Sequence, residues 1–241
     1  MSKDYSLLIK AYREAFLISN FNDIQNIYKV ANNLYDAMYQ QYDVSIDKKN
    51  VKQQYRICQI IDEDVLSKLD TSVMYCKNIK LAEKIVELRK LFFALSARRN
   101  LKNFALYIEQ YKSKKVWDKT AETVKAVFHY ADIFSISPTL DLMRASLMPS
   151  MGKSYIANLY VAQSIGNDPN IQILRITYSD DLCVSTTRQT ASIIDCQAFR
   201  EIFPRYKQYV GNKIFKSQTS YQICIVDCED EYNLNAVTRE G

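Results

Sequence analysis

From Asn22 onward the apolar positions Ile24, Ile27, Tyr28, Ala31, Leu34, Tyr35, Met38 and Tyr42 recur at intervals of three and four residues. That spacing places side chains on one face of an α-helix. The stretches Asp4 to Ser19 and Leu81 to Leu95 carry similar stripes. No proline precedes Pro138, so nothing forces a break in these helices. Tyrosines and phenylalanines on the stripes are read as core rather than as platforms for nucleotide bases. Residues 44–62 are polar and without clear period, the weakest part of this helical reading. A further helix opens at Trp117 to Thr120, with Val124, Val127, Phe128 and Ala131 on one side.

The pattern then changes. Ile136 to Thr139 breaks the helix, and Leu140 to Leu147 reads as a short apolar strand ended by Met148 and Pro149. A helix follows from Lys153 to about Ser164, with Gly166 suited to a left-handed cap after it. Ile171 to Tyr178 reads as a strand, Ser179 and Asp180 cap a helix running to about Ile194, and Phe199 to Phe203 form a further turn before Pro204. Ser220 to Asp227 is strand-like. Strand, loop, helix, strand, helix, strand is the order of a parallel sheet with crossovers. The expectation is an α/β chain with a helical N-terminal region over 1–100 and a partial parallel-sheet domain over 101–241. Segments 139–147, 171–178 and about 220–227 are its predicted neighbouring strands, with the 153–165 helix crossing right-handed between the first two.

Composition sharpens this in one respect. Only four glycines occur in 241 residues, against roughly 7% in an average chain, which favours plain helix over turns. The net charge of +5 permits a nucleic-acid partner without demanding one. Between Lys80 and Lys115 ten basic residues face three acidic ones, a local excess of +7, read as a solvated helix face. The six cysteines show no zinc-knuckle spacing, and His129 is the single histidine, so they are read as reduced thiols. There is no signal-like N-terminus and no run of about 18 apolar residues, which predicts a soluble, cytoplasmic protein.

One stretch carries a chemical mechanism: Met148, Pro149, Ser150, Met151, Gly152, Lys153 and Ser154. A glycine lets the backbone approach a phosphate closely. The lysine reaches its outer oxygens as a point charge, and the serine hydroxyl is a Mg²⁺ ligand. The start of a helix adds free amides and a favourable dipole for an anion. The nucleotide-binding residues predicted here are Ser150, Met151, Gly152, Lys153, Ser154 and Tyr155, with Ser154 on the metal. The common pattern also has a glycine five residues before Gly152, where this chain has Leu147.

The stretch resembles the atypical phosphate loops of phage terminase large subunits, in which an apolar strand and prolines lead into Gly-Lys-Ser. Further similarities follow it: Ile176 to Leu182 with its Thr177, Tyr178, Ser179 and Asp180, then Thr187 and Arg188, then Phe199 to Pro204. Asn100 to Trp117 is similar to the family's aromatic helix before the nucleotide pocket, and Asn235 to Gly241 to the stretch before its second nucleotide motif. The resemblance implies a P-loop ATPase acting in viral DNA packaging in the host cytoplasm. It implies ATP and Mg²⁺ as cofactors, and double-stranded DNA, a small terminase subunit, a portal ring and self-association as partners. It places the second motif beyond Gly241, which implies a chain incomplete for catalysis. The local acidic cluster of Asp227, Glu229, Asp230 and Glu231 is the weaker candidate for that motif. The family's loop arginine is missing, with Arg144 upstream a poor substitute. Two alternatives remain: another P-loop DNA translocase or helicase, and a non-catalytic helical interaction module with a vestigial loop.

Overall fold

The computed structural model describes residues 5–44, 51–111, 122–137, 139–140, 142–149, 151–168, 171–204, 215–218 and 223–225. By its internal contacts the chain divides into two units, Met1–Arg99 with Phe134–Asp141, and Asn100–Ile133 with Leu142–Gly241.

In the first unit the helices are α1 (Tyr5–Ile18), α2 (Ile24–Val44), α3 (Val51–Tyr75) and α4 (Ile79–Arg99). Pairs α1–α2, α3–α4 and α2–α4 pack on one another. Their core is built at helical spacing from Ile27, Ala31, Leu34 and Met38, from Ile61, Val65 and Leu69, and from Ile85, Leu88, Phe92 and Leu95. Each large side chain so buried contributes about 1.5–3 kcal/mol. Asp23 caps α2 by accepting the Asn26 N–H at 3.0 Å. The end of α1 is closed from a distance: Lys68 Nζ donates to the carbonyls of Phe16, Leu17 and Ser19, satisfying acceptors that the helix leaves open.

Helix α3 takes in residues 51–62 of the 44–62 segment, where the helical pattern is weakest. Its period is obscured because a core position is polar. Asp62 is fully buried and takes a forked interaction from Arg99 at 2.7 and 2.8 Å. Burial pushes the Asp62 carboxyl up to about 6, against the lowering pull of Arg99. The basic stretch is also partly consumed inside the fold. Arg98 is buried and stacks over the Tyr39 ring at 5.1 Å, Arg99 pairs with Asp62, and Arg89 pairs with Asp70. Lys112, Lys114 and Lys115 lie outside the described residues.

The second unit holds α5 (Leu101–Glu109), α7 (Lys153–Asn167), α8 (Asp180–Ile194) and α9 (Gln197–Ile202), and most of α6 (Glu122–Ile136). Helix α7 packs on α5 and α8, and α9 on α5 and α8. Ser179 caps α8 as its sequence suggests, accepting the Leu182 N–H at 3.3 Å. Asn100 caps α5 in the same way, accepting the Asn103 N–H at 2.9 Å. Leu101 N–H donates to Asp132 Oδ1 at 2.7 Å, which joins the start of α5 to α6. Between α7 and α8, fully buried Asn158 donates to Gln189 at 2.7 Å and accepts from Arg175 at 2.6 Å.

The expected α/β architecture is overturned. Among the described residues there is no parallel sheet, and helix dominates both units. The described parts of 139–147 and 171–178 form neither helix nor strand. The ladder found among the described residues is antiparallel, between β1 (Phe215–Gln218) and β2 (Ile223–Ile225), with Phe215 opposite Ile225 and Gln218 opposite Ile223. Within the predicted 220–227 strand, the described residues 223–225 thus pair antiparallel with the segment that precedes them in sequence. An apolar segment forms a strand only when neighbours pair its backbone and cover its faces. Among the described residues no strand pairs with 171–178, and Leu174 and Ile176 are each 85% exposed, Tyr178 93%. Gly166 also departs from expectation. Helix α7 runs past it to Asn167, and it is Asp168 that stands at the helix end. What Gly166 provides is room, because a Cβ there would collide with the Phe203 ring.

Candidate phosphate-binding loop

Gly152 is the N-cap of α7, and at φ +85° it lies in the left-handed region that favours glycine. Lys153 and Ser154 are the first two residues of the helix. The first intrahelical bond runs from Ile156 N–H to the Gly152 carbonyl at 3.0 Å, so the amides of Lys153 and Ser154 precede it. No side chain caps this end, and no acidic residue stands in the first turn. A Cβ built on Gly152 meets nothing within 4 Å, so the backbone there is open to an approaching group. Unsatisfied N–H groups and the positive end of the helix dipole together favour an anion.

Lys153 is exposed, and its amine donates to the Leu147 carbonyl at 2.6 Å, folding back across the loop. Ser154 and Pro149 are exposed and Met151 is half-buried, while Ser150 lies outside the described residues. Tyr155 turns away from the loop. Its hydroxyl donates to Glu109 Oε1 at 2.8 Å, and Glu109 is buried at the end of α5. Burial, and then the hydrogen bond to Glu109, push the Tyr155 phenol well above its ordinary range, so it stays a proton donor.

The same end of α5 is tied to α9. Tyr107 donates to Glu201 Oε2 at 2.8 Å, Tyr111 donates to both Glu201 oxygens at 2.7 and 2.9 Å, and Gln197 donates to Oε1 at 2.9 Å. Burial foremost, and then the bond to Glu201, raise the Tyr107 phenol in the same way. The Phe199–Pro204 motif is therefore a packing element here. Phe199, Ile202 and Phe203 are buried, with Phe199 and Phe203 rings 4.9 Å apart and both near Phe104.

The sequence reading places Tyr107 and Glu109 only in the aromatic helix that resembles the family's, and Glu201 only in the Phe199–Pro204 motif; it gives no role to the Tyr107 hydroxyl or to either carboxylate. The signal was present: each is an acidic residue set among buried apolar ones, in Leu101–Glu109 and Gln197–Ile202. Such placement calls for hydrogen-bond donors. Arg144 is exposed in an irregular segment, which removes the strand alternation that would have given it a face. His129 is exposed, and no cluster of three metal-ligating side chains occurs among the described residues. Asp227, Glu229, Asp230 and Glu231 lie outside them. No helix among the described residues is long and apolar enough to cross a membrane. No protein-family model, no curated protein and no solved structure matches this chain.

Proposed function

We propose that the Pro149–Ser154 loop binds the phosphates of ATP. The observation that carries this reading is the conjunction at the start of α7: a left-handed Gly152 with open space beside it, directly followed by Lys153 and Ser154 at an uncapped helix end. The residues fit a triphosphate. The amides of Gly152 to Ser154 would face the phosphate oxygens, Lys153 would give up the Leu147 carbonyl for one of them, and Ser154 would offer its hydroxyl to Mg²⁺. When bound, the metal neutralises charge on the phosphates.

The wider role proposed is that of a DNA-packaging motor subunit of the terminase large-subunit kind, acting on double-stranded DNA with small-subunit and portal partners. Its support is the series of resemblances at Ile176–Leu182, Thr187–Arg188 and Phe199–Pro204. The sheet that would ordinarily carry such a loop is not part of this support. A titration of the purified chain with a fluorescent ATP analogue in Mg²⁺, repeated with Lys153→Ala, tests the reading. Loss of a charge-assisted contact weakens binding about ten- to a hundredfold. Equal affinity in the two proteins at equal melting temperature would reject it.

A further inference from the structure

We infer that Glu109 and Tyr155 are positioning residues for the phosphate loop, an inference that rests on the phosphate-binding reading above. Tyr155 immediately follows Ser154, in the first turn of α7, so whatever holds its ring sets the rotation of the turn that presents the Lys153 and Ser154 amides. That turn has no side-chain N-cap, and the Tyr155 hydrogen bond to Glu109 gives it a tether. The anchor is firm. Glu109 is 1% exposed, and Tyr107 and Tyr111, two residues to either side of it, both donate to Glu201 of α9. The residue that closes α9, Phe203, reaches the far end of α7, where its ring lies against Gly166. Helix α7 is thus held near both ends, by a phenol–carboxylate bond at its first turn and by a ring against a glycine at its last. The phosphate-facing amides inherit their direction from the first of these. Carboxylate acceptors bind phenols more strongly than neutral ones do.

The test uses the full chain and three variants, Tyr155→Phe, Glu109→Gln and Glu109→Ala, with Lys153→Ala alongside. MgATP affinity, amide hydrogen exchange and melting temperature are measured for each. Tyr155→Phe removes one hydroxyl and is expected to weaken MgATP binding about three- to tenfold. It should also speed exchange in the first turn of α7 while α8 exchanges as before. Glu109→Gln keeps an acceptor and should bind better than Glu109→Ala. In Tyr155→Phe the Glu109 substitutions should have little further effect on affinity. If Lys153→Ala is impaired while Tyr155→Phe binds and exchanges like the native chain, the positioning role is wrong and the phosphate reading stands. If Lys153→Ala binds like the native chain, the phosphate reading falls and the positioning role falls with it.

Discussion

Replacing Gly152 separates what the backbone needs from what a phosphate needs. An L-residue held in the left-handed region costs about 1–2 kcal/mol, and Gly152 sits at φ +85°. No heavy atom lies within 4 Å of a Cβ added there, so no steric clash is added to that cost. Restricting the unfolded chain returns about 0.4–1 kcal/mol, leaving Gly152→Ala destabilised by roughly 1 kcal/mol. Asparagine visits the left-handed region readily, so Gly152→Asn should be closer to native stability than Gly152→Ala. Both side chains fill the space through which a phosphate would approach, so both should lose MgATP affinity. Urea unfolding gives the first quantity and a nucleotide titration the second. If Gly152→Ala is as stable as the native chain, the left-handed cap is refuted. If Gly152→Asn binds MgATP with native affinity, the close approach of phosphate to this backbone is refuted.

Three further outcomes follow from burial. Arg99→Met strands the buried Asp62 carboxylate and should cost roughly 3–5 kcal/mol in denaturant unfolding, most of it recovered when Asp62→Leu is added. Burial raises Asp132 from 3.8 to about 7, partly offset by the Leu101 N–H. The folded chain holds that proton more tightly than the unfolded chain, so the contribution is full below 3.8 and is lost as pH rises through about 7. It is worth on the order of 4 kcal/mol, and Asp132→Asn, which cannot ionise, should gain on the native chain in melts taken above pH 7. Gly166→Ala drives a methyl into the Phe203 ring. It should destabilise by about 1–3 kcal/mol despite the better helix former, and Phe203→Leu should relieve it.

The helices were legible where one face repeats without interruption. Ile27, Ala31, Leu34 and Met38 stand in the sequence at the spacing they keep in the core of the first unit. Helix α3 was harder to read because a buried position in its middle, Asp62, is charged, and its partner Arg99 is 37 residues away. The apolar residues of 171–178 misled for a different reason. A strand is completed by its neighbours, and apolar content alone says nothing of whether they are present. The α7 start was legible to within a residue, since glycine before Lys153 and Ser154 signals both a cap and a helix. The Glu109 and Glu201 network was not, because it joins α5, α7 and α9 across 46 to 94 residues of sequence.

The central claim, that the start of α7 receives nucleotide phosphates, is tested most directly by amide chemical-shift mapping of the ¹⁵N-labelled chain titrated with MgATP. The account predicts that the largest saturable changes fall on Met151 to Ile156, that inorganic pyrophosphate reproduces them, and that Lys153→Ala abolishes them at the same nucleotide concentration. Saturable changes centred elsewhere, or a Lys153→Ala spectrum that responds like the native one, would contradict it.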